Sequence, residues 1–304
     1  MTCQSGHGKD PPLPRLRSRT RWLIVAVVTA FVLIGGFGAG FWRGWHVEPL
    51  LPEQLSDLLR PFDRVVIPAG EGPFPTVILF HGCGGLKDAV PRWQIFFRDL
   101  GYASVAVDSL SPRGWSSEPA SAWVCAGLRL PGRERAGDVL ISFEDIKSMP
   151  FVDADRIVLA GWSHGGWSIM DMLALDPPSA LPNGLRTAYP ATIRQGLQGI
   201  EAIMLVYPYC GFGNLARGRG WASSAATVMI LAAEDSIVPT EECLTTASRL
   251  ANEGRPVTVH MLPGADHGFD QQDHRTGSHL RFDAAHTQDA MTMAAAFLAA
   301  TAAP

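Results

Sequence analysis

The stretch RIVLAGWSHGG, residues 156–166, decides how this chain reads. Arg156–Ala160 is an apolar run of strand length. Gly161, Ser163 and Gly165 form G-x-S-x-G, and helical spacing follows from His164 to Leu175. In that strand–turn–helix setting the pattern is a nucleophile elbow, a strained turn that lifts a serine hydroxyl off the end of a strand. Side chains at Gly161 or Gly165 would collide with neighbouring backbone. The helix begins immediately after Ser163, so its free N–H groups and its dipole favour negative charge beside the serine oxygen. A merely structural turn is the competing reading, and the setting weighs against it.

Outward from this segment, apolar runs alternate with stretches of helical period. Strands are expected at Arg64–Ile67, Thr76–Phe80, Ala103–Asp108, Arg156–Ala160, Ala202–Tyr207, Thr227–Ala232 and Val257–Leu262. Helices are expected at Pro91–Leu100, Glu134–Met149, His164–Leu175, Thr240–Glu253 and from about Ala284 to Ala299. Such alternation gives a parallel sheet covered on both faces. Two long connections, Ser109–Gly132 and Pro208–Ser224, interrupt the rhythm, and long loops in such a sheet usually carry function. Arg113, Trp115, Trp123, Phe212 and Trp221 on them are candidates for a substrate pocket, although each Trp fits a core position equally well.

A second motif, HGCGG at 81–85, follows the apolar run TVILF. It is similar to an oxyanion loop, with the Cys83 N–H donating to a developing oxyanion beside the His164 N–H. His81 itself reads as a structural histidine bonded within the loop. Beyond a late strand, VMILAAEDSIVP places Glu234 and Asp235 at a turn. Asp235 fits a D-x-x-V-P ending and Glu234 is the alternative acid. Of the nine histidines, His267 lies in the loop after the last strand, in the chain order Ser, Asp, His. His260 lies inside that strand, and His274, His279 and His286 fall in a polar stretch. The expected triad is therefore Ser163, His267 as general base and Asp235 orienting the imidazole.

With those residues in hand, the chain from about Pro61 to Ala300 resembles the dienelactone hydrolase family of the α/β-hydrolases. The motifs that carry the resemblance are HGCGG, VDSLSPRG at 107–114, GWSHGG at 161–166, YPYCG at 207–211, AAEDSIVP at 232–239 and PGADHGFD at 263–270. The resemblance implies an α/β-hydrolase fold, with a mostly parallel, doubly wound sheet flanked by helices. It also implies an esterase-like enzyme without cofactor, acting on a small-molecule ester or lactone through a covalent acyl intermediate. The type enzymes of the family use a cysteine nucleophile, where this chain has Ser163, and carry a glutamate in the oxyanion strand that is absent here. An exported serine peptidase or amidase of the same fold, and a catalytically silent envelope binding protein, are the alternatives.

Residues Trp22–Trp42 form an uncharged apolar stretch long enough to cross a bilayer, with a Trp at each end. Its length and the lack of an A-x-A site favour a signal anchor over a cleaved signal peptide. Arg15, Arg17, Arg19 and Arg21 precede it, which holds the N-terminus in the cytoplasm and exports the domain. The expected organisation is a basic tail at 1–21, a transmembrane anchor at 22–42, a linker at 43–61 with room for one short helix, and a catalytic domain at 62–304. Lysine occurs only at positions 9, 87 and 147 against many arginines, a hint of a GC-rich bacterial source. The expected place is thus the inner membrane with the domain on its periplasmic or outer side, or secretion if the segment is cleaved.

Four cysteines, Cys83, Cys125, Cys210 and Cys243, follow the apolar stretch, an even number compatible with two disulfides. Of three connectivities, Cys83–Cys125 and Cys210–Cys243 join loops after neighbouring strands. Four buried thiols are the alternative. No spacing fits a zinc site. The formal net charge of -4, with no basic run after the first fifty residues, gives nucleic-acid binding no support.

Overall fold

A computed structural model describes residues 23, 27, 29, 47–176, 179–221, 223–275 and 277–302. The chain divides into two units, 1–46 and 47–304. Among the described residues no helix is long and apolar enough to cross a membrane. The anchor expected at Trp22–Trp42 lies outside the described residues apart from Leu23, Val27 and Thr29, which are helical and exposed.

The second unit is built on seven strands: β1 (Arg64–Val66), β2 (Phe74–Phe80), β3 (Ala103–Val107), β4 (Val152–Trp162), β5 (Ile200–Val206), β6 (Ala226–Ala232) and β7 (Val257–Leu262). Their order across the sheet is β1-β3-β2-β4-β5-β6-β7, with β1 antiparallel to β3 and every other pair parallel. Parallel neighbours need crossover connections, and eight helices are described: α1 (Pro52–Leu59), α2 (Ala89–Asp99), α3 (Glu118–Cys125), α4 (Gly132–Lys147), α5 (His164–Leu175), α6 (Pro190–Gln195), α7 (Thr240–Asn252) and α8 (Ala284–Thr301).

Strand residues alternate between two cores because successive side chains point to opposite faces. Ile78 and Phe80 pack on one side with Leu55 and Leu59 of α1, Phe143 of α4, Met170 of α5 and Leu250 of α7. Val77 and Leu79 pack on the other with Trp93 and Phe97 of α2 and Ala294 and Leu298 of α8. Burial on both faces explains why β2, β3 and β6 read as largely apolar runs.

Several elements depart from the sequence-based expectation. The segment expected as a linker with one short helix holds α1 at 52–59, and its Leu55 and Leu59 belong to the core. Helix α2 starts two residues before Pro91, since proline is tolerated in a first turn whose N–H groups lack intrahelical acceptors. The connection at 109–132 contains α3, which begins at Ser117-Glu118-Pro119, a sequence suited to a helix start.

The strand order reverses between β2 and β4, since β2 leads outward to β3 and β1 while β4 leads to β5, β6 and β7. In open parallel sheets such a switch point, at the carboxyl ends of the strands, leaves a crevice for ligands. Phe80 of β2 is paired in register with Gly161 of β4, so the loops opening at His81 and at Ser163 start side by side.

Candidate active site

Ser163 joins β4 to α5 with φ +50° and ψ −113°, in the left-handed half of the map that non-glycine residues seldom occupy. Its N–H donates to Val206 O at 3.0 Å, and its own carbonyl accepts from Trp167 N and Tyr209 N, each at 3.1 Å. These bonds over-determine the strained turn. Two glycines make room for it. A Cβ on Gly165 would lie 2.0 Å from Phe80 O, and one on Gly161 would lie 2.6 Å from Gly166 N.

The three residues expected to form the triad come together. His267 Nε2 is 2.9 Å from Ser163 Oγ, and His267 Nδ1 is 2.7 Å from Asp235 Oδ2. The other oxygen of Asp235 accepts the N–H groups of Ile237 and Val238 at 2.9 and 2.7 Å. The carboxylate is thereby fixed on both sides, with its side chain 3% exposed. Glu234, the alternative acid, donates its N–H to Ala265 O, and no hydrogen bond joins its side chain to His267.

The HGCGG loop lies against the serine: a Cβ on Gly82 would stand 3.6 Å from Ser163 Cβ. His164 is the first residue of α5, so its N–H is one of the helix-start donors that lack an intrahelical acceptor. The Cys83 N–H sits on the facing loop. His81 accepts the Ser109 N–H on Nε2 at 3.1 Å, which leaves Nδ1–H to donate to Gly82 O at 2.6 Å. Burial, reinforced by the charge of Arg135, pushes the pKa of His81 down to about 3, so it stays neutral and structural. His164 accepts from Arg135 on Nδ1 at 3.2 Å, and burial likewise pushes it well below the usual histidine range.

A buried carboxyl that the sequence did not single out stands behind His267. Asp270 is fully buried and accepts from Tyr207 Oη at 2.5 Å, Trp93 Nε1 at 2.7 Å and Trp162 Nε1 at 2.9 Å. Burial raises its pKa and the three donors oppose that rise. The Tyr207 ring packs on His267 with centroids 4.7 Å apart, so this cluster backs one face of the imidazole. Asp266 adds a second tie, accepting the His267 N–H at 2.7 Å and both the N–H and the hydroxyl of Ser236, at 2.7 and 2.8 Å. Ser236 Oγ is also 2.7 Å from His279 Nε2, on the stretch read as polar.

The pocket candidates separate. Trp221 is 2% exposed and belongs to the core cluster that also holds Met170 of α5 and Leu250 of α7, the core position that each Trp fitted equally well. A loop rich in Gly and Arg gave no periodicity to reveal that. Arg113 turns to Asp138, bonding both carboxylate oxygens at 3.0 and 2.8 Å. Trp115 and Cys83 both pack on the small cluster of Leu110, Val124 and Leu130, beside the HGCGG loop. Trp123 and Phe212 are largely exposed. The cysteines pair as Cys83–Cys125 and Cys210–Cys243, with Cα separations of 4.9 and 5.1 Å.

A model of the dienelactone hydrolase family matches residues 63–301. Among solved structures, the chain is similar to a dienelactone hydrolase-like promiscuous phosphotriesterase from metagenomic libraries, 19% identical with a TM-score of 0.54, covering 79% of this chain and 92% of that one. It is also similar to esterase 2 of Thermogutta terrifontis phosphorylated by paraoxon, 17% identical with a TM-score of 0.54, covering 80% and 90%. A protein named as a dipeptidyl-aminopeptidase B of Grosmannia clavigera is 26% identical over 211 residues, 64% of this chain and 21% of that protein. This chain therefore spans about a fifth of the length of that relative.

Proposed function

Since the chain belongs to the dienelactone hydrolase family, we propose that it is a serine hydrolase that cleaves a carboxylic ester or lactone through an acyl-enzyme. The observation that carries the reading is the unbroken line from Ser163 Oγ through His267 to Asp235, at 2.9 and 2.7 Å. His267 Nε2 takes the hydroxyl proton as Ser163 Oγ bonds to the carbonyl carbon, and the carbonyl π pair moves to oxygen. The N–H groups of Cys83 and His164 receive that oxyanion. Collapse expels the alcohol, which leaves with the proton from His267. Water, deprotonated by His267, then attacks the acyl carbon, and Ser163 departs with that proton. Asp235 holds the ring with Nδ1–H outward and stabilises the imidazolium.

The test is turnover by the purified protein on a panel of p-nitrophenyl esters, lactones and dipeptide p-nitroanilides. Ester or lactone turnover with inert anilides is expected. A second reading, an amidase or peptidase of the same fold, is favoured by the resemblance to the dipeptidyl-aminopeptidase B relative, and preferential anilide cleavage would replace the first reading with it.

The domain is placed by this proposal outside the cytoplasm of a bacterium, tethered by residues 22–42. Two disulfides support an oxidising compartment, and the arginines before the apolar stretch support an N-terminus inside. A reporter active only outside the cytoplasm, fused after His46, should be active.

A further inference from the structure

Arg135 of α4 is fully buried. Its Nε donates to Ser109 Oγ at 2.9 Å, and its Nη1 donates to His81 O at 2.8 Å and to His164 Nδ1 at 3.2 Å. All three acceptors are neutral, and Nη2 has no hydrogen-bond partner. The carboxylates whose charge acts on it, Asp138 and Asp108, are engaged elsewhere. Asp138 is held by both Nη groups of Arg113, and Asp108 accepts the N–H groups of Leu110 and Ser111 at 2.9 Å each. Burial lowers the Arg135 pKa to about 10, with Asp138 opposing that fall, so the guanidinium keeps its charge at neutral pH.

A buried cation without a direct carboxylate partner is costly, and stability alone gives no reason to keep one. Its location supplies a reason. His81 opens the loop that carries the Cys83 N–H, and His164 carries the other donor, so one guanidinium bonds both walls of the oxyanion hole through Nη1 while its Nε holds it to Ser109. Helix α4 packs alongside α5, which makes that grip rigid. We propose that Arg135 is the positioning residue of the oxyanion hole, fixing the Cys83 loop against the start of α5 and keeping a buried positive charge beside both donors. The proposal rests on the serine-hydrolase reading above.

An aryl trifluoromethyl ketone tests it, because Ser163 Oγ adds to the carbonyl, its proton goes to His267, and the resulting hemiketal oxyanion occupies the hole. Ki for this ketone is compared with kcat and KM for a p-nitrophenyl ester in wild type, Arg135→Met and Arg135→Lys. In Arg135→Met, kcat/KM and ketone affinity should fall together by about 10²-fold, the scale of losing one oxyanion donor, with KM within about threefold. Arg135→Lys keeps the charge without the fork and should recover part of that loss. An Arg135→Met enzyme with wild-type ketone affinity overturns the proposal, and so does a loss confined to KM. Should Arg135→Met fail to fold, Arg135→Lys decides alone, and wild-type Ki there overturns the fork's role. Labelling of wild-type Ser163 by a fluorophosphonate separates the two levels. Its absence, with no ester turnover, defeats the underlying reading, whereas labelling with unaltered Arg135 variants defeats only the positioning role.

Discussion

Asp235 presents one carboxylate oxygen to His267 Nδ1 at 2.7 Å while its other oxygen takes two backbone N–H groups, from Ile237 and Val238. That division of labour sets the outcome of an amide replacement. In Asp235→Asn the amide oxygen belongs with the two N–H donors, which leaves the NH₂ facing Nδ1. His267 must then accept on Nδ1 and carry its proton on Nε2, where it cannot receive the Ser163 proton. Ester turnover should fall on the order of 10⁴-fold with little change in stability. Steady-state kinetics with a thermal melt on the same sample checks both.

Cys83 combines two roles, since its N–H is a candidate oxyanion donor and its Sγ is tied to Cys125 of α3. Cys125→Ser should lower unfolding free energy by about 2 to 5 kcal/mol, as loss of a native bridge usually does. It should also reduce kcat more than Cys243→Ser, whose bridge joins the loop after β5 to α7. Urea melts and kinetics on both variants provide the comparison. Equal kcat values would sever the bridge from the oxyanion loop.

Glu134, at the start of α4, has its pKa raised to about 7 by burial, with Arg113 opposing and Asp138 adding to the rise. Between the ordinary carboxyl value of 4.5 and about 7 the folded state holds a proton that the unfolded chain releases, so this group's contribution to stability is lost as pH rises through that window. Glu134→Gln removes the dependence. Relative to wild type, the variant should gain on the order of 1 kcal/mol per pH unit from pH 4.5 to 7 and nothing further above it. Urea melts at pH 4.5, 6 and 7.5 measure the difference, and a constant offset would contradict it.

The parts of this molecule legible in its sequence are those governed by neighbours in the chain. Val77 to Phe80 read as a strand because both faces are buried, and Ser163 read as a nucleophile because its glycines, strand and helix are contiguous. Chain order then selected Asp235 and His267, which the fold brings to hydrogen-bonding distance. What stayed hidden depends on distant partners. Asp270 closes the motif PGADHGFD without a role of its own there, and its burial rests on Trp93, 177 positions away, together with Trp162 and Tyr207. The need of two buried indole N–H groups for an acceptor was the signal that could have found it. Arg135 stood in a charged helix start, GRERAGD, and only the packing of α4 on α5 carries it inward. Trp221 kept two readings, pocket and core, because nothing local distinguishes a loop tryptophan that folds inward from one that faces a ligand, and it lies buried in the core cluster.

Whether Ser163 is the nucleophile is read by treating the wild-type protein and Ser163→Ala with paraoxon or a fluorophosphonate, then mapping the adduct by peptide mass spectrometry. One adduct per wild-type chain is expected, on Ser163, with ester turnover lost in step, and no adduct on Ser163→Ala. An adduct on another residue, or a soluble Ser163→Ala that keeps half of wild-type turnover, would contradict it.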